Sequence, residues 1–165
     1  MKKPQPIKWD SGKSVIENAS TVLPLLVEPL FVSGRKLSNG KVSVKALHEF
    51  RLEVKRFRYT LELFRPLYGP ALNKRLAELH RLQQMLGRVS DCAAIKAVLK
   101  QSRAARKARM PRLLKKLNAV EKERTAELLA YWKGTFDRTG EQELWVRYLR
   151  DYPGRGSMGG PSKAG

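Results

Sequence analysis

Apolar residues between 44 and 65 recur at Leu47, Phe50, Val54, Phe57, Leu61 and Phe64, at intervals of 3, 4, 3, 4 and 3. That spacing is the buried seam of an amphipathic helix. Ser43 is placed to cap its start, and Pro66, Gly69 and Pro70 to stop it. A second seam runs through Leu72, Leu76, Leu79, Leu82 and Leu86 and predicts a helix over 71–87, with Gly87 as its C-cap. Ser90 or Asp91 then caps a helix over 91–108, and Pro111 suits the first turn of another over 111–136. Upstream, 14–33 reads as helical, divided or kinked at Pro24 and Pro29. "SGRKLSNGK" (33–41) reads as a loop because it is rich in turn formers. No strand pattern competes. The fold class is therefore all-α, an antiparallel bundle of about five helices. Its expected organisation is a flexible arm at 1–13, a helical domain at 14–138, a weak helix at 139–150 and a disordered Gly/Pro/Ser-rich tail at 151–165.

Charge changes this picture. The 165 residues carry 34 Lys and Arg against 15 Asp and Glu, a net charge of +19. Such an excess attracts polyanions: nucleic acid, anionic lipid or inorganic polyphosphate. The single cysteine, Cys92, excludes an internal disulfide and a Cys-based zinc site, and fits a reducing compartment. The basic start lacks the apolar core of a leader. The apolar segment 22–32 carries Glu28 and two prolines and reads as too short to span a bilayer. The expectation is a soluble cytoplasmic protein without membrane association.

The charge has a pattern on the 44–65 helix. His48, Arg51, Lys55 and Arg58 fall within an arc of about 80°, flanking a seam centred roughly 110° away. Like charges at this spacing repel. Glu49 and Glu53 lie on the far side, and only Glu62 is in register, four residues after Arg58. The line reads either as a solvated flank whose stems cover the seam or as a row awaiting an external anion. A second row, Lys96, Lys100, Arg103 and Lys107, has spacings of 4, 3 and 4. If the two helices pack with these rows facing, a groove of positive potential results.

Taken together, "LHEFRLEVKRFRYTLELF" and "LHRLQQMLGRVSD" resemble the CHAD domain, the conserved histidine α-helical domain. The matching positions are His48, Arg51, Lys55, Arg58 and Tyr59, then Leu82, Gln83, Leu86, Gly87 and Asp91. The resemblance implies a helical bundle that binds inorganic polyphosphate in a basic cavity without catalysis. It also implies two motif helices related by a pseudo-two-fold, where this chain has one. Either half a site works alone, or two chains pair as a homodimer to complete it. The apolar stretch 22–32, with Leu23, Leu25, Leu26, Val27, Leu30 and Phe31, is the expected interface. The E-x-E-x-K signature of the CYTH triphosphatase domain, often joined to CHAD domains, is absent from the sequence.

Other chemistry is weaker. His48 and His80 lack the accompanying carboxylates of a metal site, and no phosphate loop, nucleophile elbow or triad pattern occurs. No cofactor is expected. Gln83, on the core side of its helix, is expected to brace the pocket wall or the turn at Gly87. The candidate ligand contacts are His48, Arg51, Lys55, Arg58, Tyr59, Lys96, Lys100, Arg103 and Lys107. Arg51 and Arg58 would grip phosphate with their planar forks, and His48 would make binding pH-sensitive. The alternative is a nucleic-acid-binding helical protein. Against it, no aromatics interleave with the basic residues of 96–116.

Overall fold

The predicted seam is buried at five of its six positions, and the sixth, Phe64, is partly buried at the C-cap. In the computed structural model, which describes residues 8–40, 42–101 and 110–153, Leu47, Phe50, Val54, Phe57 and Leu61 are all in the core. They belong to helix Val44–Leu63, whose first turn is capped by Ser43 Oγ accepting from Ala46 N. In chain order the helices are α1 (Val15–Val22), α2 (Val27–Asn39), α3 (Val44–Leu63), α4 (Arg65–Tyr68), α5 (Ala71–Gln101), α6 (Met110–Thr135) and α7 (Glu141–Asp151). A 3-10 turn, Leu23–Leu26, joins α1 to α2. The protein is all-α, and no strand occurs among the described residues. Helix α3 packs on α2 and α5, α5 on α6, and α7 returns onto α1, the 3-10 turn and α2. The α5–α6 pair is antiparallel: Tyr131 meets Glu78, Arg124 meets Arg88 and Cys92, and Lys96 meets Glu121.

Two expected boundaries are corrected. The 33–41 loop is instead helix as far as Asn39. Its glycine is there for packing: an added Cβ on Gly34 would lie 2.2 Å from the Trp132 ring. Leu37 is buried beside it, and Arg35 Nε donates to Asp137 Oδ1 at 2.7 Å. The break at Gly87–Asp91 does not exist either, because α5 runs through it. Ser90 caps nothing; its hydroxyl donates back to the Leu86 carbonyl at 2.8 Å. Leu82, Leu86, Val89 and Cys92 carry the buried stripe across the supposed junction. The stop at Pro66–Pro70 holds, with Gly69 at φ 64° ending α4.

Trp132 is the hub of the core. Its ring lies 5.6 Å from Phe31, 5.0 Å from Phe50 and 5.3 Å from Phe136. The helix expected near 141–150 is α7, and it is integral to the bundle. Trp145 and Leu149 are fully buried, and Trp145 packs 5.4 Å from Phe57. Arg75 of α5 lies over both Trp145 and Tyr148 and pairs with Glu141 at 3.8 Å. Burial lowers the Arg75 pKa, and Glu141 opposes the shift. Tyr68 donates to the Leu149 carbonyl at 2.7 Å, and burial holds its hydroxyl far above the ordinary tyrosine pKa.

The apolar segment 22–32 is core. Leu23, Val27, Leu30 and Phe31 are fully buried and Leu26 partly so, which leaves Leu25 and Val32 exposed. The basis for a dimer interface there is removed. Nor is the segment too short once its flanks are included: Val15–Asn39 has the length and hydropathy of a membrane span. In the fold it is divided at the 3-10 turn containing Pro24, and its apolar side faces the bundle. Of the N-terminal arm, Trp9 stacks on Phe64 at 5.9 Å, and buried Asn18 bonds both polar groups of the Asp10 backbone. The tail beyond 153 lies outside the described residues.

Candidate functional site

Helix α3 turns its seam inward, so the basic line emerges on the flank beside α5. His48, Arg51 and Lys55 are exposed along it, and none has an ion pair with a described residue. Glu49, expected on the far side, is there: it pairs with Lys36 of α2 at 3.2 Å.

Arg58 differs from its neighbours. Its Nε donates to Gln83 Oε1 of α5 at 2.8 Å, and its Nη1 donates to Glu62. The Tyr59 ring lies 4.3 Å from the guanidinium carbon, and the side chain keeps only 12% of its exposure. The pairing with Glu62 follows from their i,i+4 spacing. What Gln83 holds is Arg58, rather than a pocket wall or the turn at Gly87. Sequence placed Gln83 correctly but could not name its partner, 25 residues away on another helix. The expected fork of Arg58 is thus already engaged on two of its edges, and Arg51 is the unengaged fork on this face. Lys55 Nζ lies 5.6 Å from the half-exposed Tyr59 ring. One turn after Gln83, Gly87 leaves the surface open: an added Cβ there would meet nothing within 4 Å.

The described start of the second row, Lys96, does not face the first. Lys96 pairs with Glu121 of α6, and both side chains are largely covered. Around α5, Lys96 is about 140° from Gln83, the residue that marks the α3 side. The expected groove between two facing rows is therefore not formed by Lys96. The Lys100 side chain, Arg103 and Lys107 lie outside what is described. Neither of two cavities, one of 440 Å³ near Pro66–Asn73 and one of 760 Å³ between α5 and α6, is lined by His48, Arg51, Lys55 or Arg58. His48, Arg51 and Lys55 stand on an exposed face of α3, and Arg58 is partly covered at its end. Among the described residues no cluster of His, Cys, Asp and Glu could hold a metal ion.

The family model of the CHAD domain matches residues 8–100, more than half of the chain and all of the α3–α5 face. The chain belongs to the CHAD family. CHAD domains are in general associated with polyphosphate binding. The match spans α1 to nearly the end of α5, and α6 and α7 lie beyond it. No curated protein and no solved structure matches the chain.

Proposed function

We propose that this CHAD protein binds inorganic polyphosphate on the α3 flank, without catalysis. One observation carries the reading: His48, Arg51 and Lys55 stand exposed, without an ion pair among the described residues, in a row that ends at a fixed guanidinium, Arg58. Leaving such a row without carboxylates costs helix stability, and a chain of closely spaced phosphates offsets that cost. Arg51 offers a planar fork to two oxygens. Lys55 and His48 add donors, and Arg58 contributes the edge that Gln83 and Glu62 leave free. Tyr59 forms the rim. The single buried Cys92 supports a reducing, cytoplasmic setting.

A second copy bringing its own α3 to this face would give the family's two-motif arrangement, through a surface other than 22–32. Mass measured across protein concentration, with and without polyphosphate, decides it. A constant monomer that binds at full strength means one motif helix suffices.

The test of the ligand is competition at matched salt. Long-chain polyphosphate should displace duplex and single-stranded DNA near physiological ionic strength, and its binding should weaken steeply as salt rises. Equal affinity for all three polymers at every salt concentration would reduce the face to a generic cation.

A further inference from the structure

The 760 Å³ cavity between α5 and α6 is separate from the motif face. Its size is within the range of small-molecule sites, about 300–1,000 Å³. Its polar lining is His80, Arg81, Gln84 and Arg88 from α5, with Glu127 and Tyr131 from α6. The α5 residues recur at i, i+1, i+4 and i+8, one helix face.

The floor is fixed. Tyr131 donates to the Glu78 carbonyl at 3.2 Å, and the Arg81 guanidinium lies 4.8 Å from its ring centre. A guanidinium plane backed by an aromatic ring is a stacking platform for a flat heterocycle. The Gln84 amide meets His80 Nε2 at 2.9 Å at the rim. Arg88 is exposed, and its side chain has no ion pair with a described residue. Arg124 sits behind it, donating to the Arg88 carbonyl and toward Cys92 Sγ.

We propose that this cavity binds a nucleoside polyphosphate such as ATP. The base stacks on the Arg81–Tyr131 platform, the phosphates reach Arg88, and Glu127 accepts from a ribose hydroxyl or a base amine. Three observations favour a nucleotide over bare polyphosphate. The lining includes a carboxylate, Glu127, which a ribose hydroxyl or base amine can donate to and a bare phosphate chain cannot. It includes Ala77, Met85, Ala130 and the Tyr131 ring, which phosphate does not use. And the site lies on the α6 side of α5, whereas the motif row lies on the α3 side.

The experiment is calorimetric titration of the full chain with ATP, adenosine and tripolyphosphate, without added divalent cation. ATP should bind at least tenfold more tightly than either part. Arg88→Ala should weaken ATP at least fivefold and leave long-chain polyphosphate within twofold. Arg51→Ala with Arg58→Ala should do the reverse, so failure of this site and failure of the polyphosphate reading are distinguishable. Arg88 is exposed and its loss spares the core; Ala130→Glu, also at an exposed position, blocks the cavity independently. Tripolyphosphate binding as tightly as ATP and competing with it would overturn the proposal. So would ATP binding that vanishes with Arg51 and Arg58, or no binding of ATP at millimolar concentration.

Discussion

The two basic rows have nearly the same spacing in sequence, but the α3 row and Lys96, the described start of the second, have opposite surroundings in the fold. On α3, His48, Arg51 and Lys55 are exposed without an ion pair among the described residues, and the one acid in register, Glu62, is engaged by Arg58. On α5, Lys96 is turned onto Glu121 of the next helix and largely covered. One row holds its charge outward; the described start of the other is neutralised within the protein. Net charge brings polyanions near, but unneutralised and pre-positioned charge decides where they settle.

The largest effect should come from the α3 row. Arg51→Ala with Arg58→Ala should weaken polyphosphate binding tenfold or more, since charge-assisted hydrogen bonds contribute roughly 1.5–3 kcal/mol each. Arg147→Ala with Arg150→Ala removes equal charge from α7 and should change affinity less than threefold. Equal losses in equilibrium titrations would erase the distinction between rows.

Gln83→Leu comes next. It deletes the acceptor for Arg58 Nε while keeping every cation, so a loss of three- to tenfold, with the melting temperature little changed, isolates positioning from charge. An unchanged affinity would mean that Arg58 needs no brace.

Lys96→Ala should reverse the pattern. Affinity should stay within threefold, while stability falls by about 1 kcal/mol because Glu121 loses its partner in a partly covered site. A tenfold loss of binding at unchanged stability would return Lys96 to the ligand site.

The smallest effect sets a baseline away from both rows. Hydrogen bonds from the Ser14 side chain and backbone lower the pKa of Glu17. A depressed carboxylate stabilises the fold above its unfolded pKa and loses that contribution as pH falls through the folded value. Glu17→Gln should therefore reduce the acid sensitivity of melting slightly, below about pH 4.5, without altering binding at neutral pH.

How much was legible follows from where the determinants sit. The α3 seam, the basic line and the Arg58–Glu62 pair were readable because their partners lie three or four residues apart. The loop expected at 33–41 was misread because its turn formers are overruled by Trp132 and Asp137, about a hundred residues away. Gly87, Ser90 and Asp91 look like punctuation, yet the buried stripe through Leu86, Val89 and Cys92 carries α5 across them. The Arg58–Gln83 contact and the α5–α6 cavity need helix pairings that no local pattern encodes. The nearest sequence hint to the cavity was His80, Gln84 and Arg88 on one face, a signal too common to single out.

The contact of Gly34 with Trp132 reaches beyond packing. Position 34 has no room for a side chain while an indole stands opposite, and the indole cannot shrink without leaving a void among Phe31, Phe50 and Phe136. The two positions form a lock whose halves are inherited as a unit. A change at one becomes tolerable only after the other has moved, so divergence of this core should proceed by paired substitutions, with the glycine outlasting every other turn former in its segment.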